Sequence, residues 1–477
     1  MYTEKETAKK TAEGLLRFIK ESPTAFHAVR GFSKMLGEAG FLELSEGAQW
    51  QLHPGCSYYV TRNGSSLIAF RLPGKAADHA GAPAGFQIMA SHSDSPSFKI
   101  KEDPEIRVEN SYVKLNVEKY GGMLFAPWFD RPLSAAGRII VERDGCLYSR
   151  LVDVDRDLLL IPNVAIHMNR KANEGFACDP QKDLLPLYGM CGEGKSFLGT
   201  VAEAAGEKEE DLRGMDLFLY NRQKGTVWGP EDCFLSAPRL DDLECAYASV
   251  LGLIGAEPAG SIAVSCVFDN EEVGSTTKQG AASTFLKDTL RRITACLSGG
   301  GTGADKAAGE SGGTGSLQEG QFTRALSRSF MISADNAHAL HPNHPELSDP
   351  VNRPVMNRGI VIKHNANQKY TTDGVSAALM RMLLKKAGLK YQEFLNRSNM
   401  AGGSTLGNIS GTQVSLNTVD IGLPQLAMHS PYETAGTRDL VDLVTAAKTF
   451  FSLSYAETED GGFGWKGAAS DFGSGRN

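Results

Sequence analysis

From residue 237 onward, short apolar runs of strand character alternate with amphipathic runs of helical period, and this alternation restricts the fold more than any other feature. A helical run at 242–253 is followed by a strand at 262–268, a helix at 281–297 and strands at 330–334 and 360–363. A helix at 375–386, a strand at 418–426 and a helix at 439–451 complete the series. Phe86-Gln87-Ile88-Met89-Ala90 reads as a further short apolar strand. Strands separated by helices pair side by side in a parallel or mixed sheet with helices on both faces. The expected class is therefore α/β, with a helix-covered mixed sheet.

Upstream, Leu15, Leu16, Phe18 and Ile19, then Phe26, Val29, Phe32, Met35 and Leu36, follow a helical period broken at Ser22-Pro23-Thr24. Asn63-Gly64 between Tyr58-Tyr59-Val60 and Leu67-Ile68-Ala69-Phe70 is a strong hairpin signal. Between 99 and 236 short alternating segments dominate, such as Tyr112-Val113-Lys114-Leu115-Asn116-Val117. This stretch is read as an inserted β-rich domain, leaving 1–98 and 237–477 as the main one. Two stretches rich in glycine, 298–315 and 461–475, read as a loop tip and a frayed tail. The first lacks the Gly-Lys-Ser/Thr ending of a phosphate cradle.

Charge and cysteine usage exclude several functions. Lys and Arg total 49 against 56 Asp and Glu, a net −7 without a basic tract, which predicts no nucleic-acid and no membrane partner. No apolar run reaches the length of a membrane span, and the charged N-terminus lacks a signal-peptide core. Eight scattered cysteines without a Cys-x-x-Cys pair suit a reducing cytoplasm and argue against a thiolate zinc site.

In open α/β sheets ligands bind beyond the carboxyl ends of the strands. The residues there are His92 and Asp94 after 86–90, Asp269-Asn270-Glu271-Glu272 after 262–268, Asp335 after 330–334 and His429 after 418–426. Asp241-Asp242 stands ahead of the helix at 242. Buried together, so many carboxylates need cations. Two imidazoles with three carboxylates, one of them bridging, match the needs of two divalent ions, and nitrogen and oxygen ligands without sulfur favour zinc, with manganese or cobalt as substitutes. If Glu272 is a ligand, Glu271 alternates away and is free to act as general base toward a metal-activated water. Asp94, two residues after His92, is suited to hold the second ring nitrogen of that histidine.

Five ordered motifs are involved: Ser91-His92-Ser93-Asp94-Ser95-Pro96, Arg239-Leu240-Asp241-Asp242, Phe268-Asp269-Asn270-Glu271-Glu272-Val273-Gly274-Ser275, Ser333-Ala334-Asp335-Asn336-Ala337-His338-Ala339 and Met428-His429-Ser430-Pro431-Tyr432-Glu433. With Ile362-Lys363-His364-Asn365-Ala366-Asn367-Gln368-Lys369-Tyr370, they make nearly the whole chain resemble the aspartyl aminopeptidase family of di-zinc metallopeptidases. The resemblance implies that His92 and Asp335 hold one zinc, Glu272 and His429 the other, and that Asp241 bridges both. It implies Glu271 as the base, Asp94 orienting His92, and a cis peptide at Asp241-Asp242. It also implies that the insertion is a dimerisation domain, that dimers build a dodecamer, and that His167 enters a neighbouring subunit's site to stabilise the transition state.

The substrates so implied are short peptides with an N-terminal acidic residue, Lys363 binding the acidic side chain and Arg353 or Lys369 able to share that role. A same-fold aminopeptidase of neutral preference, a related di-metal deacylase and a catalytically silent assembly protein are the competing readings. His338, His341 and His344 read as structural residues or supports of the site because intervening prolines prevent a shared helical face. His27, His53 and His79 read as surface or packing residues, and Gly402-Gly403-Ser404-Thr405-Leu406-Gly407 as either a turn near the site or a plain loop.

Overall fold

The computed structural model describes residues 3–74, 84–175, 177–298, 314–458 and 461–467. His79 and nearly all of the glycine-rich stretch 298–315 lie outside the described residues.

The sequence begins with two helices, Glu4–Lys20 and Ala25–Glu38. Thr3 caps the first: its hydroxyl accepts from the Glu6 N–H while the Glu6 carboxylate accepts from the Thr3 N–H. The chain breaks at Ser22-Pro23-Thr24, and the helices meet through Phe18 and Phe32, whose rings lie 4.4 Å apart. The predicted hairpin forms between Ser57–Arg62 and Ser66–Arg71, with Asn63 and Gly64 at φ 58° and 68°.

The central sheet has nine strands in the order 42–44, 57–62, 66–71, 262–268, 86–92, 330–334, 417–422, 360–363 and 391–394. Its middle four run parallel, and Phe86–His92, Ile262–Phe268 and Phe330–Ala334 are buried along their whole length. Alternation along these strands feeds two cores. Met89, Ala263 and Ile332 face the helices Leu240–Gly255 and Thr437–Ser452, while Ile88, Val264 and Met331 pack with Phe285, Leu290 and Phe322 on the opposite side. Each fully buried aromatic or branched side chain contributes about 2 kcal/mol, so the sheet is anchored on both faces.

Six antiparallel strands between Ser97 and Asn221 form a separate sheet with its own core around Phe98, Leu115, Trp128 and Leu217. Thr226–Trp228 and Phe234–Ala237 leave that sheet and instead pair in a five-stranded sheet with Glu433–Gly436, Pro424–Leu426 and Ala337–His338. The predicted strand at 418–426 is thus two, Asn417–Gly422 and Pro424–Leu426, each in a different sheet.

The expected frayed tail requires correction within its described part. Phe463–Lys466 pairs with Ser454–Glu457, and Trp465 is buried, its indole N–H donating to the Leu379 carbonyl at 2.8 Å and its ring stacking edge-on to Phe330 and Phe450. One tryptophan with a core to enter outweighs the glycines around it.

His27 is a packing residue, 2% exposed, with Nδ1 2.9 Å from Thr24 Oγ1 and no partner for Nε2. Burial, with Arg30 and Arg239 nearby, lowers its pKa from 6.5 to about 3. A base depressed in the folded state contributes stability that is complete above its unfolded pKa and lost as pH falls below it. The chain should therefore lose about 2 kcal/mol from this residue by about pH 5. Denaturant unfolding of His27→Leu across this range should show a shallower pH dependence than the parent.

Candidate metal centre

The strand ends deliver the chemistry because of their register. His92 ends its strand directly opposite Phe268, so the turn Asp269-Asn270-Glu271-Glu272 starts beside it. On the other flank Ser333 pairs with Ala90, which places Asp335 at the same rim, its N–H donating to the Ile421 carbonyl at 3.1 Å. Asp241 enters from the start of the helix Leu240–Gly255, where residues 241 and 242 depart from helical angles and the bond between them is cis. His429 lies in the turn after Pro424–Leu426.

Asp241 lies between the two histidines. Its Oδ1 is 3.4 Å from His92 Nε2 and its Oδ2 is 3.3 Å from His429 Nε2. Glu272 Oε2 stands 3.4 Å from His429 Nε2, and Asp335 Oδ1 stands 4.0 Å from His92 Nε2. Among the described residues, two groups have ligand atoms all within 4.8 Å of one another: His92 with Asp241 and Glu272, and His92 with Asp242 and Asp335; His429 is in neither. His338, His341 and His344 belong to neither; His344 instead contacts Glu346 at 3.2 Å.

The residues around this rim fix its geometry. His92 Nδ1 bonds the backbone carbonyl of Asp94 at 3.0 Å, with the Asp94 carboxylate at 3.4 Å. That carboxylate accepts the N–H groups of Glu271 and Glu272 at 3.1 and 3.2 Å. Glu433 accepts the Asp241 N–H at 3.0 Å and the His429 N–H at 2.8 Å. The Asp242 carboxylate accepts the His92 N–H at 3.0 Å. Asn270 and His429 are both held at positive φ, 62° and 66°, a conformation that non-glycine residues retain only where their surroundings impose it.

Charge at the centre is out of balance. Burial raises the pKa of Glu271 to about 8 and of Asp335 to about 6, and drives Asp242 and Glu272 well above the carboxylate range. Burial acts on Asp241 too, but the imidazoles of His429 and His92 outweigh it and hold that carboxyl below its usual value. Asp241 Oδ1, Asp242 Oδ1 and Glu272 Oε1 are buried without a hydrogen-bond partner. Orphaned carboxylate oxygens facing two imidazole nitrogens are a donor set completed by divalent cations, and their nitrogen and oxygen chemistry fits zinc.

Other expected residues sit differently. Lys363 is buried, 2% exposed; its Nζ donates to the Asn336 carbonyl at 2.8 Å and lies 3.8 Å from Asp335 Oδ2. Burial works against its charge, but Asp335 and Tyr370 hold its pKa above the usual lysine value. Arg353 and Lys369 are exposed. His167 is exposed, on the segment 162–168, where Val164, Ile166 and Met168 also face outward. A cavity of about 390 Å³ between the inserted sheet and the main domain is lined by Asp94, Tyr120, Asn270 and Glu433, and by none of the five candidate ligands.

Glu433, Asp242 and Tyr120 join the expected residues at this rim. Asp242 adjoins Asp241 in sequence, and Glu433 stands four residues after His429. Tyr120 carries no local signal.

Comparison with known proteins identifies the family to which the chain is similar. The family model described as aminopeptidase I zinc metalloprotease (M18) matches residues 18–451. A probable M18 family aminopeptidase 2 of Clostridium acetobutylicum is 44% identical over 459 residues, 95% of this chain and 100% of the relative. One of Pseudomonas aeruginosa PAO1 is 40% identical over 449 residues, covering 93% and 98%. Among solved structures, a chain in the cryo-EM structure of the Ape4 and Nbr1 complex superimposes with TM-score 0.85 at 34% identity, covering 93% of this chain and 86% of its own. The S. cerevisiae mApe1 dodecamer gives 0.77 at 28%, covering 93% and 96%.

Glu433→Gln tests how far the supporting hydrogen bonds matter. An amide cannot accept from both Asp241 and His429 without turning its NH2 toward one N–H. Zinc affinity, measured by competition with a chromophoric chelator, should fall about tenfold or more.

Proposed function

This chain belongs to the M18 family of zinc metallo-aminopeptidases, and from that premise we propose that it removes N-terminal aspartate or glutamate from short peptides at a centre holding two zinc ions. The observation that carries this reading is the Asp241 carboxylate, one oxygen toward His92 and the other toward His429. In this reading His92 and Asp335 hold one ion, Glu272 and His429 the other, and Asp241 both. The ions, when bound, supply Lewis acidity for the scissile carbonyl and lower the pKa of the attacking water.

The protein's own groups do the rest. Glu271 is the general base: the turn that carries it starts beside His92, and with the neighbouring carboxylates neutralised by the ions its own carboxylate would take a proton from the attacking water and return it to the leaving amine. Asp94 sets its position by accepting the backbone N–H groups of residues 271 and 272. Lys363 is the selector of acidic residues: a permanently charged ammonium, buried 5.3 Å over the Tyr370 ring and beside Asp335, attracts a carboxylate locally although the chain as a whole is acidic. No observation favours neutral preference, deacylation or a silent assembly role.

We further propose a homo-oligomer, a dodecamer built from dimers through the inserted domain. Supporting this are the dodecameric mApe1 and the outward apolar side chains Val164, Ile166 and Met168, 54%, 48% and 83% exposed. In that assembly His167 reaches the neighbouring subunit's centre. The eight cysteines are all free thiols, which accords with a cytoplasmic setting, and no described helix is long and apolar enough to cross a membrane.

Two substitutions test the reading. Glu271→Gln should retain its zinc while turnover of aminoacyl anilides falls by about a thousandfold; retained turnover would remove Glu271 as the base. Lys363→Ala should lower kcat/KM for Asp and Glu anilides by about a hundredfold relative to Leu anilide. An equal fall for both would mean that Lys363 does not select the substrate.

A further inference from the structure

Tyr120 ends a strand of the inserted sheet, Tyr112–Tyr120, yet its hydroxyl is engaged with the metal centre of the other domain. The hydroxyl donates to Asp94 Oδ2 at 2.7 Å and accepts from Asn270 Nδ2 at 2.8 Å. Asp94 in turn holds the backbone of Glu271 and Glu272. The phenol therefore stands at one end of a hydrogen-bond chain that fixes the turn bearing both the proposed base and a proposed ligand. Burial and the Asp94 charge keep its pKa far above the usual tyrosine value, so it remains a donor. Phe218, also in the inserted sheet, holds the ring edge-on at 5.4 Å.

The next residues extend the contact. Gly121 has φ +76°, and a Cβ there would lie 3.1 Å from Glu272 Cβ and 3.2 Å from the Glu272 carbonyl oxygen. At Gly122 a Cβ would stand 3.9 Å from His429 Nδ1. Leu124 donates its N–H to the His429 carbonyl at 3.1 Å. One short segment thus lies against both Glu272 and His429, the pair assigned above to one ion.

We infer that residues 120–124 form a strap through which the inserted sheet sets the Glu272–His429 metal position, with Tyr120 as a positioning residue for the 271–272 turn and Gly121 as a close approach that a side chain would crowd against Glu272. The inserted domain is then a structural part of the metal centre and serves it within a single subunit. This inference rests on the ligand assignment proposed above.

Cobalt titration of the metal-free protein, followed by visible absorption, reads the two positions without relying on turnover. Tyr120→Phe removes the hydroxyl and keeps the ring; Gly121→Ala obstructs the approach to Glu272. Both should bind the first equivalent of cobalt as the parent does and the second about tenfold or more weaker, with an altered spectrum for that second equivalent. Tyr120→Phe should also lower kcat about tenfold or more with KM for an aminoacyl anilide changed less than about twofold. Tyr112→Phe, at the exposed start of the same strand, should behave as the parent. Parent-like binding and spectrum of both equivalents in Tyr120→Phe would overturn the strap, whatever happens to Gly121→Ala. A parent protein that binds cobalt but cleaves no aminoacyl anilide would refute the proposed function and leave the titration decisive for the strap.

Discussion

Mutual repulsion among buried carboxylates is the constraint around which this molecule is arranged. Asp94, Asp241, Asp242, Asp335 and Glu433 are buried within one rim, and Glu271 and Glu272 adjoin them. Lys363 is the nearby ammonium, and the two imidazoles cannot compensate the remainder. The fold meets the cost in two ways. It gives several carboxylates backbone N–H donors, as at Asp94 and Glu433, and it aims others at imidazole nitrogens with oxygens left unpaired. A protein built like this is one part of a complex with cations, and its family is that of zinc metalloproteases.

Much of this was legible in the sequence because the information is local. Strand identity follows from short apolar runs such as 262–268 and 330–334, and the residue after such a strand falls at the sheet's carboxyl rim whatever the strand order is. His92, Glu271, Glu272 and Asp335 could therefore be found without knowing that 86–92 lies between 262–268 and 330–334. The Asn63-Gly64 hairpin and the break at Pro23 are likewise decided by backbone preferences of a few residues.

What stayed hidden depends on partners distant in sequence. Thr226–Trp228 and Phe234–Ala237 look like the β-rich segments before them, and only pairing with Glu433–Gly436 assigns them elsewhere. Trp465 sits in a glycine-rich setting that suggests a loose tail, yet Leu379 and Phe330, far apart in the chain, make it a core residue. Tyr120 reads as an ordinary strand aromatic until its hydroxyl is seen against Asp94. Lys363 at a strand end could as readily have been solvated, and its burial comes from the approach of the Asn336 carbonyl.

Glu433 ties the backbone of residue 241 to that of residue 429 with a single side chain. Neither backbone can then shift alone: a displacement of one must carry the other with it or break a buried charge-assisted hydrogen bond, at a cost of about 1–3 kcal/mol.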